Sequence, residues 1–365
     1  MSRVTLSHVW KIYEGNVIGV RDASFTCGDG EFLSILGPSG SGKSSTLRMI
    51  VGLEKITKGE ISFDGKVVND LNPRERNVAL AFESYALYPR MTVYENIAFP
   101  LHVRGLDKFE IDKTVKSIAE LLDLTDILGK RPTSLSGGHQ QRCSLARALV
   151  RKPKVTLLDE PISHMDQRVR PEIRARIRRI HDEFKSTTIY VTHDQAEAIS
   201  LCDRLVVMNL AEVQQVGTVD EIWNHPANKF VAMFVGEPQM NFIKGRIEAP
   251  QQVSVLTKEG KKAFKFVGKV DQKYVGSGEI TMGVRPQQIK LSRNKEQETS
   301  IPGSVKIVEY QGDNAVLTVK LEDGDSTDMK VLISGESLSH VGETVWLDFK
   351  PETIHLFDKE TPLIH

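Results

Sequence analysis

This 365-residue sequence contains little cysteine, no long apolar run and no net charge. Its three cysteines, Cys27, Cys143 and Cys202, are scattered and form no Cys-x-x-Cys pair. Neither a disulfide framework nor a zinc site is therefore predicted, and a reducing compartment is indicated. No stretch approaches about 18 consecutive apolar residues, so no membrane-spanning helix is predicted. The 48 basic and 48 acidic residues balance, which argues against a general nucleic-acid-binding protein.

The first residues also lack the apolar core of a secretion signal, so we expect none. Apolar residues make up 40% of the chain and charged residues 26%, which is typical of a globular protein, and the length predicts two or three domains. Up to about Val235, short apolar strands alternate with helical stretches, which predicts a mainly parallel sheet flanked by helices. Between about residues 88 and 151 the strand signals vanish, and we interpret this part as a helical insert.

After about Gly236 the sequence consists of short β-rich runs separated by turns, which is typical of a small barrel or sandwich. Residues 285–291 and 350–356 share the pattern basic-Pro-x-x-Ile-x-Leu, which is compatible with two related β units in tandem. Acidic residues outnumber basic ones in this part of the chain, so its net charge is negative. An oligonucleotide-binding barrel needs a positive net charge. We therefore interpret residues 236–365 as a regulatory or structural β domain.

Residues 37–44 read Gly-Pro-Ser-Gly-Ser-Gly-Lys-Ser and match the phosphate-loop pattern G-x-x-x-x-G-K-[ST]. An apolar strand precedes them and a helical pattern begins at about Ser44, which is the context that this motif needs. We expect Lys43 to lie beside the β- and γ-phosphates and the Ser44 hydroxyl to ligate Mg²⁺. The sequence therefore predicts a site for a nucleoside triphosphate. Its expected phosphate-binding residues are Gly37, Pro38, Ser39, Gly40, Ser41, Gly42, Lys43, Ser44 and Ser45.

Two further apolar strands end in residues suited to phosphate chemistry. Residues 155–158 lead into Asp159 and Glu160, and charges seldom end a buried strand without a partner because their desolvation is costly. In a phosphate-loop protein the first acid holds Mg²⁺ and the second acts as general base toward the attacking water. A solvated strand end is the alternative. Residues 188–192 lead into His193, which we expect beside the γ-phosphate, although a structural histidine is equally compatible with the sequence.

The sequence Leu-Ser-Gly-Gly at residues 135–138 comes immediately before a helical pattern. Ser136 is a natural N-cap, and Gly137 and Gly138 allow an anion to approach free N–H groups closely, although a plain cap and turn requires the same residues. The chain thus has a second helix start suited to phosphate but only one phosphate-loop lysine. Two copies related by a twofold axis would give each nucleotide the phosphate loop of one copy and the second helix start from the other copy.

In this order, the motifs resemble those of the nucleotide-binding subunits of ABC transporters, for which Leu-Ser-Gly-Gly is the signature. The resemblance implies the fold class, an α/β phosphate-loop ABC ATPase domain at residues 1–235 with a helical insert, followed by a C-terminal all-β, OB-like tandem domain at residues 236–365. It further implies a dimer that closes on two ATP molecules. In that dimer Tyr13 stacks on adenine, Leu135 belongs to the signature that completes the site, and Asp166 contacts the opposite subunit.

The stretches 217–242 and 283–289 resemble the domain junction and the β domain of sugar-importer ATPases of the maltose and glycerol-phosphate type. This resemblance implies a peripheral subunit at the cytoplasmic face of the inner membrane that uses ATP and Mg²⁺ to power import of a carbohydrate or polyol-like solute. The implied partners are membrane-spanning permease subunits, a second ATPase subunit, identical or homologous, and, indirectly, an extracytoplasmic solute-binding protein. An importer ATPase for a polyamine or metal ion and a regulatory switch with poor turnover are the alternatives.

The resemblance also implies that residues 84–89 receive the permease, with packing inside the helical insert as the alternative. Three residues depart from the family pattern: Glu83 and His139 stand in place of Gln, and His164 in place of Asn. A carboxylate at Glu83 keeps an oxygen that ligates Mg²⁺ but adds a charge beside the γ-phosphate. All three lie at expected interfaces, so we hypothesise pairing with a non-identical ATPase subunit. Neutral variation in a homodimer explains them equally well.

The arginine-rich stretch 168–180 resembles a nucleic-acid-binding helix at first sight. Its apolar residues Ile173, Ile177 and Ile180 fall at helical spacing on one face, however, and the arginines occupy the others. We therefore interpret it as a solvated amphipathic helix and expect no nucleic-acid partner.

Overall fold

The computed structural model describes residues 2–81, 85–163, 165–257, 260–276, 278–321, 327–335 and 340–363. The chain divides into two compact units, an N-terminal unit that ends at Val219 and a C-terminal unit that begins at Asp220. Among the described residues, no helix is both long enough and apolar enough to cross a membrane.

The N-terminal unit combines strands with helices in alternation. Its described strands are β1 (Val4–Ile12), β2 (Ile18–Cys27), β3 (Phe32–Leu36), β4 (Lys58–Phe63), β5 (Lys66–Val67), β6 (Val78–Ala81), β7 (Val155–Asp159), β8 (Thr187–Thr192), β9 (Arg204–Asn209) and β10 (Glu212–Gly217). Its described helices are α1 (Lys43–Val51), α2 (Val93–Val103), α3 (Lys108–Leu121), α4 (Gly137–Leu149), α5 (Arg170–Phe184) and α6 (Gln195–Leu201).

The central sheet has the strand order β10-β9-β3-β8-β7-β6, and its strands from β9 to β6 run parallel while β10 runs antiparallel to β9. All five residues of β3 and all five of β7 are buried, which explains why apolar residues predominate in both strands. A second, antiparallel sheet has the order β2-β1-β4-β5. The prediction of a mainly parallel α/β sheet is confirmed.

Helices α2, α3 and α4 lie between β6 and β7 in the chain and form the helical insert that the fold class predicts. Thr92 and Glu95 close a capping box at the start of α2, and Asp107 accepts two backbone N–H bonds at the start of α3. The buried faces of these helices share one apolar core with α5 and with Phe32 and Tyr190 of the central sheet. The insert is therefore packed as part of the N-terminal unit.

The C-terminal unit is all-β apart from short helices at its start, α7 (Val219–Asn224) and α8 (Lys229–Phe234). Its described strands are β11 (Asn241–Ala249), β12 (Gln252–Thr257), β13 (Gly260–Lys265), β14 (Ile280–Val284), β15 (Ile289–Ser292), β16 (Ile301–Tyr310), β17 (Asn314–Leu321), β18 (Asp328–Ser334), β19 (Thr344–Phe349), β20 (His355–Asp358) and β21 (Thr361–Pro362). They form two sheets, β13-β12-β11-β14-β20-β21 and β15-β19-β16-β17-β18, around one apolar core. The predicted C-terminal β domain is confirmed.

The repeated sequence pattern corresponds to a repeated local structure. In each copy a strand is followed by a single 3₁₀ turn, Pro286–Gln288 or Pro351–Thr353, and then by a short strand, β15 or β20. Proline suits the first position of such a turn because its fixed φ is already helical and its missing N–H needs no partner. The copies differ in their basic residue, because Arg285 is 1% exposed whereas Lys350 lies at the surface.

Candidate active site

The phosphate loop and the catalytic side chains that the sequence predicts lie where three neighbouring parallel strands end. Strands β3, β8 and β7 are adjacent in the sheet, and their carboxyl ends lead into the phosphate loop, His193 and Glu160 respectively. The carboxyl ends of parallel strands meet at one edge of a sheet, where a crevice for ligands forms. The topology therefore brings the phosphate loop and the acidic and imidazole side chains to one place.

The phosphate loop accepts only glycine at two of its positions. A Cβ atom at Gly37 would lie 2.3 Å from the carbonyl oxygen of Met208, and one at Gly42 would lie 2.5 Å from that of Gly19. Gly42 also has φ +97°, in the left-handed region that other residues rarely adopt. Ser39 and Gly40 are exposed at the loop tip, and the buried Ser41 hydroxyl has no hydrogen-bond partner among the described residues.

Lys43 is 5% exposed, and its ammonium donates to the carbonyl oxygens of Gly37 at 2.8 Å and Pro38 at 3.0 Å. Burial lowers the pKa of Lys43, while the negative charges of Glu160 and Asp159 raise it in part. The ammonium is thus desolvated inside the loop, where its attraction for an incoming anion is stronger than in water.

Ser44 and Asp159 are in direct contact, because the Ser44 Oγ donates to Asp159 Oδ1 at 3.2 Å. Asp159 ends the buried strand β7 and is itself 8% exposed, and Ser44 is half-buried in the first turn of α1. A hydroxyl and a carboxylate oxygen are the hard ligands that Mg²⁺ prefers. The oxygen ligands that Ser44 and Asp159 offer therefore fit the predicted Mg²⁺ ion.

Glu160 and His193 form the second pair, in which His193 Nδ1 donates to Glu160 Oε2 at 2.9 Å. The backbone N–H of Glu160 bonds the Val191 carbonyl of the neighbouring strand at 2.9 Å, which holds the turn in place. Glu160 has φ +45°, a conformation that is unfavourable for a residue with a Cβ and that recurs where function requires strain. The two predicted catalytic side chains are thus brought together.

Tyr13 is positioned at the edge of the phosphate loop. Its hydroxyl donates to Ser45 Oγ at 3.0 Å, and the Lys11 ammonium lies 4.7 Å from the ring centroid. A Cβ atom at Gly19 would lie 2.5 Å from the ring, so the tyrosine packs directly on the Gly19 backbone. The sequence analysis missed Gly19, since nothing local to it shows that an aromatic ring crosses it.

The signature group begins α4 as expected, but its serine does not cap the helix through its side chain. Ser136 occupies the N-cap position without a capping bond, and its Oγ instead contacts His139 Nδ1 at 2.7 Å. The imidazole at the third helical position reaches the hydroxyl and competes with the backbone N–H groups for it. The prediction that Ser136 is the N-cap residue is therefore confirmed by its position, but its side chain makes no capping hydrogen bond. Ser136 and Gly137 are exposed, and Leu135 and Gly138 are half-buried.

Asp166 is exposed, and its Oδ1 accepts the Arg168 N–H at 2.9 Å. The hydrogen bonds described for Asp166 and for residues 135–138 stay local, so these predicted residues are not joined to the phosphate loop within the described part of one chain. The predicted ligand Glu83 and the residue His164 lie outside the described residues, as does Ser84.

The remaining residues of the predicted permease-binding segment contact α4. Tyr85 and Ala86 have φ values of +58° and +47°, and the Tyr85 carbonyl accepts from Ser144 Oγ at 2.7 Å and from Arg147 at 3.1 Å. The Arg147 guanidinium lies 5.2 Å from the ring centroid of Tyr88. Tyr88 lines a groove of about 570 Å³, and the exposed apolar side chains of Leu53 and Val103 line the same groove.

Burial and charge also affect titratable groups that the sequence analysis did not assign. Burial raises the pKa of Glu197, which is 1% exposed and accepts hydrogen bonds from Tyr190 and Thr192. Asp194 caps α6 by accepting the Glu197 N–H at 3.0 Å. The sequence Asp-x-x-Glu directly after a strand is a helix-start signal that could have identified this pair.

Comparison with known proteins identifies two families along the chain. Residues 20–163 match the family described as ABC transporter, and residues 282–357 match the TOBE domain family. The chain is 42% identical to the trehalose/maltose import ATP-binding protein of Thermococcus litoralis, over 99% of both chains. It is 38% identical to the sn-glycerol-3-phosphate import ATP-binding protein of Psychromonas ingrahamii, over 99% of this chain and 95% of that one.

A third relative is the multiple sugar-binding transport ATP-binding protein of Streptococcus mutans, which is 39% identical over 99% of both chains. Among solved structures, the chain is similar to the dimeric structure of an ATP-binding cassette in a post-hydrolysis state bound to ADP and Pi. The TM-score is 0.55 and the identity 30%, over 59% of this chain and 98% of that one.

Proposed function

This chain belongs to the ATP-binding proteins of ABC transporters, and from that premise we propose that it hydrolyses ATP to power the import of a carbohydrate or polyol-like solute. Relatives that are similar over nearly their full length are named as import proteins for trehalose and maltose, for glycerol 3-phosphate and for multiple sugars, which supports this class of cargo. We assign ATP hydrolysis to residues 1–235 and a regulatory role to residues 236–365.

The observation that carries the proposal is the adjacency of two pairs, Ser44 with Asp159 and Glu160 with His193. Asp159 and Glu160 are consecutive in the chain, so the metal-binding and proton-accepting groups leave the same strand end. A phosphate loop supplies positioning and charge, whereas turnover further needs a group that accepts a proton from water. This arrangement supports hydrolysis over nucleotide binding alone.

We assign the Mg²⁺ ligands to Ser44 and Asp159, with Glu83 as a further ligand. When bound with ATP, Mg²⁺ neutralises charge that develops on the phosphate oxygens. The loop N–H groups and the Lys43 ammonium hold the phosphates, and the dipole of α1 favours their negative charge. Tyr13 stacks on the adenine ring.

In the hydrolysis step, a water oxygen bonds to the γ-phosphorus as the bond to the bridging oxygen of ADP breaks. The Glu160 carboxylate accepts the proton that the water loses. His193 donates through Nδ1 to Glu160 and so fixes the direction in which the carboxylate points. When the ring carries both protons, its Nε2 donates to an oxygen of the γ-phosphate, which orients the phosphate relative to the base.

We propose that a second copy of this chain completes each site. Ser136, Gly137 and Gly138 lie at the start of the 13-residue helix α4, where free N–H groups and the helix dipole favour an anion. Ser136, Gly137 and Asp166 are exposed, which leaves them accessible to another chain. The similar solved cassette is dimeric, which supports an arrangement in which each ATP lies between the phosphate loop of one copy and the signature of the other.

The groove lined by Tyr88, Leu53 and Val103 is our candidate site for a permease subunit. It offers exposed apolar side chains beside Arg104 and Arg147, a combination that suits an amphipathic helix with an acidic end. Docking there would hold the chain at the cytoplasmic face of the inner membrane as a peripheral subunit. A solute-binding protein on the other side would contact only the permease.

The test is the substitution Glu160→Gln, which keeps the shape of the side chain but removes the base. We expect ATP turnover to fall about 100- to 10,000-fold while ATP affinity stays within about threefold of the wild-type value. Glu172→Gln on α5 is the matched control, because Glu172 is an exposed residue that pairs with Arg176 away from the strand ends. Turnover of Glu160→Gln close to that of the control would contradict the assignment.

A further inference from the structure

Arg170, the first residue of α5, joins two segments that the proposed reaction uses. Its Nη2 donates to the Ser163 carbonyl at 2.7 Å and its Nε donates to the Met165 carbonyl at 3.1 Å. These carbonyls belong to the loop that leads to Asp166, the exposed residue that faces a second copy of the chain in the proposed dimer. One guanidinium therefore holds the backbone carbonyls of Ser163 and Met165.

The same guanidinium contacts the turn that carries His193. Arg170 Nη1 lies 3.3 Å from Asp194 Oδ2 and 4.0 Å from Glu197 Oε1. The Glu197 oxygen is buried and has no hydrogen-bond partner within the described residues, so Arg170 is the positive charge that faces it. Asp194 follows His193 directly in the chain, so the contact of Arg170 with Asp194 lies next to the backbone that carries the imidazole.

The segments that Arg170 joins are also linked through the base. The Ser163 Oγ donates to the Glu160 carbonyl at 3.0 Å, and the Glu160 side chain accepts from His193 at 2.9 Å. Arg170 thus closes a ring of contacts that runs from the loop through Glu160 and His193 and back through Asp194. Its side chain is 23% exposed, and charge-assisted bonds in such surroundings are stronger than at a free surface.

We propose that Arg170 is a positioning residue for ATP hydrolysis, which ties the Asp166 loop to the His193 turn so that the contact with the second chain and the geometry of the Glu160–His193 pair change together. The inference rests on the proposed function. It predicts an effect on the chemical step and not on nucleotide binding, because Arg170 contacts neither the phosphate loop nor Tyr13 within the described structure.

The test compares kcat and KM for ATP in Arg170→Met, Arg170→Lys and Arg178→Met. Arg178 is the matched control, because it lies on α5, pairs with Asp203 at 2.9 Å and bonds the Leu201 carbonyl at the far end of α6. We expect kcat of Arg170→Met to fall about 10- to 100-fold with KM within about twofold, the size of effect that a small displacement of reacting groups produces. Lysine keeps the positive charge but lacks the planar guanidinium with its several N–H donors. The kcat of Arg170→Lys should therefore lie between those of the wild type and Arg170→Met.

Asp194→Asn provides a second variant that does not depend on the folding of Arg170→Met. Asparagine is as good an N-cap as aspartate, so the substitution removes the ion pair and leaves the α6 start intact. It should lower kcat, and in the double variant the effects of Arg170→Met and Asp194→Asn should not add. Wild-type protein without turnover would overturn the proposed function and this inference with it. If the wild-type protein hydrolyses ATP but the kcat of Arg170→Met or of Asp194→Asn equals that of Arg178→Met, the inference alone would be overturned.

Discussion

Substituting Arg285 with Met should destabilise the C-terminal unit more than any exposed arginine there. The guanidinium donates to the carbonyl oxygens of Val235 at 2.6 Å and Trp223 at 2.7 Å, and its central carbon lies 3.8 Å from the Trp223 ring centroid. Burial lowers the pKa of Arg285 to about 10, so it remains charged at pH 7. One side chain therefore attaches α7 and the end of α8 to the turn after β14.

Methionine fills most of the volume of the side-chain stem but donates no hydrogen bond. Each carbonyl oxygen left without a donor costs about 1 to 3 kcal/mol. The lost cation–π contact adds about 0.5 to 2 kcal/mol. Relief of the desolvation of the charge offsets part of this cost. We therefore expect the free energy of unfolding of the C-terminal unit to fall by about 2 to 5 kcal/mol.

The assay is urea denaturation followed by tryptophan fluorescence, since Trp223 lies beside the substituted residue. Arg293→Met is the control, because Arg293 is 66% exposed and pairs with Glu343 in the same unit. Exposed ion pairs contribute less than about 1 kcal/mol, so the control should stay close to the wild type. Equal unfolding midpoints for the two variants would refute the structural role of Arg285.

Two further predictions concern His355 and the phosphate loop. Burial, together with the positive charge of Arg285, lowers the pKa of His355 from 6.5 to about 4, so the unfolded chain takes up this proton first. Stability of the C-terminal unit should therefore be full above pH 6.5 and fall by up to about 3 kcal/mol toward pH 4. An unfolding midpoint with the same pH dependence in His355→Gln would contradict this. Gly42→Ala should weaken ATP binding at least about tenfold, because its Cβ would meet the Gly19 carbonyl at 2.5 Å. Gly65→Ala, with a similar φ of +78° in open space, should bind ATP normally in the same titration.

Features that depend on consecutive residues could be predicted from the sequence. The phosphate loop, the acids after β7 and the imidazole after β8 each follow a buried strand, and parallel strands bring such ends together without further information. The helical insert and the β domain were predictable for the same reason, because periodicity and turn residues are local signals. The repeated sequence pattern was compatible with two related β units in tandem, and in the structure each copy consists of a 3₁₀ turn followed by a short strand.

Features that depend on contacts between distant residues could not be predicted in this way. Nothing around Gly19 shows that the Tyr13 ring crosses it, and nothing around Arg170 shows that two carbonyls and a carboxylate converge on it. Likewise, Ser136 has the sequence of an N-cap, and only the geometry shows that His139 engages its hydroxyl. Such residues act through partners that the chain brings close only when it folds.

The central claim is that two copies of this chain enclose ATP between the phosphate loop of one and the signature of the other. The most direct test is the solution mass of the Glu160→Gln protein, measured by light scattering with and without Mg²⁺ and ATP, because we expect this variant to bind ATP without hydrolysing it. The account predicts that ATP doubles the mass from one chain to two. A mass that stays at one chain while ATP is bound would contradict the claim and would direct the search to a different partner subunit.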